Sequence, residues 1–100
     1  MLELIKVVII MAALNHHVDP QRMLGMARCE STYRPDVVNR VGARGLYQLM
    51  PGGELENFYN RGYDNWADPA QQANFVAERL SEPGGWKPWR ETFTPYCYGE

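Results

Sequence analysis

A chain of 100 residues with 45% apolar and 22% charged residues and a net charge of −2 has the composition of one folded domain, which excludes a disordered polymer. Its ten Lys and Arg are scattered singly, so there is no basic patch to recommend nucleic acid as a partner. At this size the core is small, and a crosslink would add materially to stability.

The first element is nearly all apolar. Leu2 to Leu14 predicts a buried helix, with Glu3 and Lys6 sharing a face at three-residue spacing. The uninterrupted run Val7 to Leu14 is far shorter than the ~20 residues of a membrane span. A secretory signal is the alternative, since the run has about the length of its apolar region. Glu3 offsets Lys6, however, and no clear small-x-small site precedes Asn15, so the buried helix is favoured. His16 and His17 fall in a surface loop, and no set of side chains near them has metal-ligand spacing.

Asp19 and Pro20 then start a second helix as capping acid and first-turn proline. Its apolar positions Met23, Leu24, Met26 and Ala27 lead, at helical spacing, to Glu30. A carboxylate therefore sits at the end of a buried face. Desolvation there pushes its pKa upward and keeps a proton on it near neutral pH, which a general acid requires. The competing structural reading is an ion pair with Arg28, Arg34 or Arg44.

A loop with Pro35 follows, then Gly42 and Gly45 bracketing a turn, then Leu46, Tyr47 and Gln48 opening a new element. A short helix is predicted over Glu54 to Tyr59 with Leu55, Phe58 and Tyr59 on its apolar side, and Asn60, Arg61 and Gly62 turn the chain. Asp68, Pro69 and Gln71 form a helix start with Gln71 at the capping-box position. Ala73, Val76, Ala77 and Leu80 give that helix one core face before Pro83, Gly84 and Gly85 end it. The tail carries Trp86, Trp89, Phe93, Tyr96 and Tyr98, and of these Trp86 and Trp89 serve either the core or a sugar-binding groove, the core being favoured. Cys29 and Cys97 are either two thiols or one disulfide closing a long loop.

Glu30 and Ser31, the aromatic Tyr33, Pro35 and the run VGARGLYQLMP from Val41 to Pro51 together resemble the signature of the soluble lytic transglycosylase family, in the lysozyme-like superfamily. The segments WADPAQQANFVAERL and GGWKPW resemble the C-terminal half of small secreted or phage-borne relatives. The resemblance implies a mainly α, lysozyme-like domain over residues 1–100, with a short loop or hairpin region after the catalytic helix.

It also implies the chemistry. Glu30 would be the single catalytic acid and base, cleaving the β-1,4 bond between N-acetylmuramic acid and N-acetylglucosamine of peptidoglycan as the muramic acid's own 6-hydroxyl closes a 1,6-anhydro ring. Ser31 would support the substrate-binding site by hydrogen bonding, and Gln48 with the backbone of Gly45 and Tyr47 would hold the glycan, Tyr47 offering an added stacking surface where the family often has Met. Asn39 stands where the family usually has Ser, and an "AYNAG"-like segment of longer members is absent. Resuscitation-promoting factors are similar in carrying a Cys just before the catalytic Glu and another near the domain's end. That likeness implies a Cys29–Cys97 disulfide and an oxidising compartment.

No metal or cofactor is implied. The partner is the peptidoglycan glycan strand, with no nucleic acid and no membrane span, acted on by a monomer in an extracellular, periplasmic or virion-associated location. Two alternatives stand beside this reading. A muramidase of lysozyme type would need a second carboxylate, for which Asp36 is the first candidate, ahead of Glu54 and Glu56. The other is a non-catalytic peptidoglycan-binding domain.

Overall fold

The computed structural model describes residues 1–92 and 97. Four α-helices are formed: α1 (Leu2–Asn15), α2 (Pro20–Ser31), α3 (Glu54–Asn60) and α4 (Pro69–Leu80). A kinked 3₁₀ segment follows at Lys87–Thr92, bent at Trp89. Between α2 and α3 the chain forms no strand, only isolated antiparallel bridges Val38–Arg44 and Arg44–Leu49. The expected mainly helical architecture with a short loop region after the second helix is what the chain adopts.

α1 packs against both α2 and α4. It buries Ile5, Ile9, Ala12 and Ala13, a stripe at helical spacing. The expectation of a wholly buried first helix is corrected, since Leu4, Val7, Met11 and Leu14 are 64%, 53%, 56% and 57% exposed. Two neighbours lie on one side of α1, so an all-round apolar sequence leaves its outer face uncovered. Glu3 and Lys6 share a face of α1 at three-residue spacing, and the Lys6 ammonium lies 5.1 Å from the centre of the Tyr33 ring.

α2 begins as the sequence predicts, with the Asp19 carboxylate accepting from the Gln21 N–H at 3.0 Å and Pro20 in the first turn. Met23, Met26 and Ala27 form its buried face. The helix ends immediately after Glu30 and Ser31, because Thr32 and Tyr33 take left-handed φ values of 55° and 62°. The Tyr33 N–H then reaches back to the Ala27 carbonyl. A β-branched residue in that region is costly, roughly 1–2 kcal/mol, so packing must hold it there.

α4 is capped by Asp68, which accepts from the Ala70 N–H. Gln71 does not complete a capping box: its amide oxygen accepts from the N–H groups of Asp64 and Asn65, and its nitrogen donates to Asp64. It therefore braces the loop before the helix. Phe58 of α3 packs between Tyr63, stacked at 5.0 Å, and Phe75 of α4, edge-on at 5.5 Å. Tyr59, expected on the apolar side of α3, is 42% exposed.

After α4 the chain doubles back tightly. A Cβ on Gly85 would lie 1.6 Å from the Arg79 carbonyl oxygen, so only glycine allows the passage across the last turn of α4. That passage brings the 3₁₀ segment against α2. Cys97 is joined to Cys29 with a Cα–Cα distance of 5.9 Å. The disulfide ties the tail to the residue next to Glu30 and closes a loop whose unfolded-state entropy corresponds to about 4 kcal/mol. Phe93, Tyr96 and Tyr98 lie outside the described residues.

Candidate active site

Glu30 occupies the last turn of α2, half-buried, in the wall of an open cavity of about 630 Å³. The opposite wall comes from the turn after α4 and from the 3₁₀ segment, through Gly84, Lys87, Trp89, Arg90 and Glu91, with Arg79 of α4 at one end. Burial, with a smaller push from the negative charge of Glu91, raises the Glu30 pKa from 4.5 to about 7.

Arginine pairing would have done the opposite, and it is absent among the described residues. Arg34 donates to the Ser31 carbonyl at 2.9 Å, Arg44 to the Gly42 carbonyl at 3.3 Å, and Arg28 towards the Cys97 carbonyl at 3.5 Å. At neutral pH Glu30 is therefore a carboxyl group poised between its acid and base forms beside open space.

The segment expected to open a new element at Leu46 is instead a tight turn. The Gln48 N–H donates to the Gly45 carbonyl, and Arg44 and Leu49 exchange both backbone bonds across it. Gly45 has φ +85°, and a Cβ there would lie 2.0 Å from the Gln72 amide nitrogen and 2.9 Å from the Trp66 carbonyl oxygen. Its role is close approach between backbone and side chain.

Gln72, fully buried on α4, spends its whole amide on this turn. Its nitrogen donates to the Arg44 and Trp66 carbonyls, both at 2.9 Å, and its oxygen accepts from the Tyr47 N–H at 2.7 Å. The sequence reading did not single Gln72 out. A signal was available, since it lies four residues before Val76 on the apolar face, where a polar side chain needs partners.

One expected sugar contact, the Tyr47 stacking surface, is corrected. Tyr47 is fully buried, its hydroxyl donating to the Met23 carbonyl at 2.7 Å, so its ring stacks on no ligand. Burial holds its pKa far above the usual phenol value. Ser31 is also buried. Its hydroxyl donates to the Leu46 carbonyl at 2.8 Å and accepts from the Arg34 N–H, which stitches the end of α2 to the turn.

Gln48 remains at a surface. Held at φ 53°, it donates its amide nitrogen to the Gly45 carbonyl at 3.0 Å, which leaves the amide oxygen as the acceptor for a ligand. It lines a second cavity of about 260 Å³ with Met50, Glu54 and Trp89. Trp89, together with Pro88, lines both cavities. Its ring is buried and its indole N–H donates to the Tyr47 carbonyl at 2.9 Å, a core role and a wall role at once. Trp86 is 42% exposed outside both walls.

The candidate second carboxylates do not meet Glu30. Asp36 is exposed in the loop after α2 and lines neither cavity. Glu54 is held by Arg79 at 2.9 Å, and Glu56 accepts from the Gly52 N–H. The carboxylate that shares the Glu30 cavity is Glu91. Nothing in its local sequence pointed to it, since only the fold of the tail carries it there. His16 and His17 belong to no cluster of metal-binding side chains among the described residues.

A helix that ends on a desolvated glutamate, a stapled loop beside it and a cleft walled by a later segment define a lysozyme-like domain. The family described as "Transglycosylase SLT domain" matches residues 7–99, and the chain belongs to that family. No solved structure matches the chain. Membership makes this a domain of the peptidoglycan-cleaving transglycosylase class, working at the cell wall. Among the described residues no helix is long and apolar enough to cross a membrane.

Proposed function

We propose that the chain is a lytic transglycosylase that cleaves the β-1,4 bond between N-acetylmuramic acid and N-acetylglucosamine, with Glu30 as its one catalytic acid and base. The observation that carries this reading is a carboxyl with a pKa of about 7, unpaired with any arginine, in the wall of an open cleft. Protonated Glu30 gives its proton to the leaving glycosidic oxygen as the bond breaks. The resulting carboxylate takes the proton of the muramic acid 6-hydroxyl, whose oxygen bonds to the anomeric carbon. No water is consumed, and the proton count on Glu30 returns to its start. Because the nucleophile is tethered within the substrate, its effective concentration replaces a second protein group.

Gln48 contacts the glycan through its amide oxygen, while Ser31, Gly45 and Tyr47 serve the site by holding the turn that carries it. The Cys29–Cys97 bond supports an extracellular, periplasmic or virion-associated location, where a disulfide persists. One observation favours a muramidase as the second reading: Glu91 faces the same cavity as Glu30 and offers the additional carboxylate that hydrolysis uses.

Mass spectrometry of fragments released from purified peptidoglycan decides between them. Fragments with 1,6-anhydro ends, each one water lighter than the reducing sugar, are expected, with Glu30→Gln lowering release by at least about 100-fold. Reducing ends would establish hydrolysis, and undiminished turnover by Glu30→Gln would overturn both readings.

A further inference from the structure

The wall facing Glu30 carries more positive charge than a neutral sugar chain requires. Arg79 is accounted for, since it is bonded to Glu54 at 2.9 and 3.2 Å and to Glu82 at 3.0 Å. Lys87 and Arg90 are not. Both are exposed, and neither has a hydrogen bond or ion pair from its side chain among the described residues. They flank the kink at Trp89, and both line the cavity that Glu30 lines.

The platform beneath them is firm. The Trp89 indole is bonded to the Tyr47 carbonyl at 2.9 Å, and the backbone N–H groups of Lys87 and Trp89 donate to Gly84 and Trp86. Two cations are thus presented on a braced segment to a cavity that already holds a catalytic carboxyl. We propose that Lys87 and Arg90 form a carboxylate-binding subsite that seats an acidic group of the peptidoglycan strand beside Glu30. The inference rests on the reading of the chain as a peptidoglycan-cleaving enzyme.

The electrostatics of the cavity agree with it. A cation touching Glu30 would pull its pKa down, yet burial and Glu91 leave it raised. Lys87 and Arg90 line the same cavity as Glu30, and among the described residues neither forms an ion pair with it. Glu91 offsets one of their two charges, and while Glu30 keeps its proton the unpaired groups of the cavity sum to about +1, against −2 for the whole chain. The sugar rings are uncharged. The acidic groups on such a strand are the lactyl carboxylate of muramic acid, free where no peptide is attached, and the carboxylates of the attached peptide. Arg90 can meet either with two parallel N–H bonds, and Lys87 adds a point charge.

The test measures binding of the Glu30→Gln protein to insoluble peptidoglycan by co-sedimentation, which separates seating from turnover. Native sacculi are compared with sacculi whose carboxylates have been converted to amides by carbodiimide coupling, and soluble peptide-free glycan strands, whose lactyl carboxylates are free, are added as competitors. Binding to native sacculi is expected to be about tenfold tighter than to amidated ones at low salt, the gap shrinking as salt screens the exposed charges.

Adding Lys87→Ala and Arg90→Ala should close the gap, and adding Lys87→Glu and Arg90→Glu should reverse it. Peptide-free strands that compete with native sacculi for the protein that keeps Lys87 and Arg90 assign the seat to the lactyl carboxylate, and strands that do not compete assign it to the peptide. Equal binding to native and amidated sacculi, or a gap that survives the Ala substitutions, overturns the subsite. Failure of the functional reading is seen separately, as absence of fragment release by the parent protein from native sacculi.

Discussion

Replacing Glu30 by Gln should stabilise the folded protein, but only above a defined pH. In the unfolded chain a glutamate titrates near 4.5, and in the fold burial together with Glu91 moves Glu30 to about 7. Below pH 4.5 both states are protonated and the residue contributes nothing. Between pH 4.5 and 7 the folded state binds more protons than the unfolded one, so stability falls as pH rises. Above pH 7 the ionised carboxylate sits in a site that disfavours it. The full penalty is the pKa difference converted to energy, about 3 kcal/mol.

That is a large fraction of the 5–15 kcal/mol typical of a domain. The charged groups facing Glu30 are Glu91, Lys87 and Arg90 from the 3₁₀ segment and Arg79 from α4. Urea unfolding of the oxidised parent and Glu30→Gln proteins at pH 4, 5.5, 7 and 8 gives the difference directly, since every other titrating group is common to both. The variant should match the parent at pH 4 and exceed it by up to about 3 kcal/mol at pH 8. A difference that does not change with pH would refute the desolvated carboxyl and remove the main support for Glu30 as the acid.

The stapled turn gives a second prediction: Gly45→Ala should cost roughly 3–5 kcal/mol in urea unfolding, from a strained φ and the displaced Gln72 amide. The same change made in a Gln72→Ala background should cost less, because the obstructing amide has gone. Reducing the Cys29–Cys97 bond, or replacing both cysteines by Ser, should lower stability by about 4 kcal/mol, read by denaturation with and without reductant. Val7→Lys with Met11→Glu should change stability by no more than about 0.5 kcal/mol per site, because both side chains stand on the uncovered face of α1.

These predictions divide between what local pattern announces and what folding assembles. The spacing of Met23, Met26 and Ala27 placed Glu30 at the end of a buried face, and Asp19 with Pro20 and Asp68 with Pro69 marked two helix starts. Such signals are local, since capping and helical periodicity act within a few residues. The loop signature around Gly45 was equally legible, but its roles were not. Whether Tyr47 and Ser31 face a sugar or the interior depends on the carbonyls of Met23 and Leu46, which lie far along the chain.

By itself the sequence determined a small, mainly helical domain, one glutamate at the end of an apolar helix face, and a glycine-bracketed loop after it. Tertiary structure alone decided which face of α1 is covered, that Gln72 holds the loop, and that Cys29 and Cys97 meet. It also decided that the carboxylate beside Glu30 is Glu91 and not Asp36, with Lys87 and Arg90 alongside. Those outcomes depend on where the chain goes after Gly85, a path set by close backbone approach and by the Trp89 anchor. The charge of a site is the sum over every element that reaches it, so no single stretch of sequence contains it.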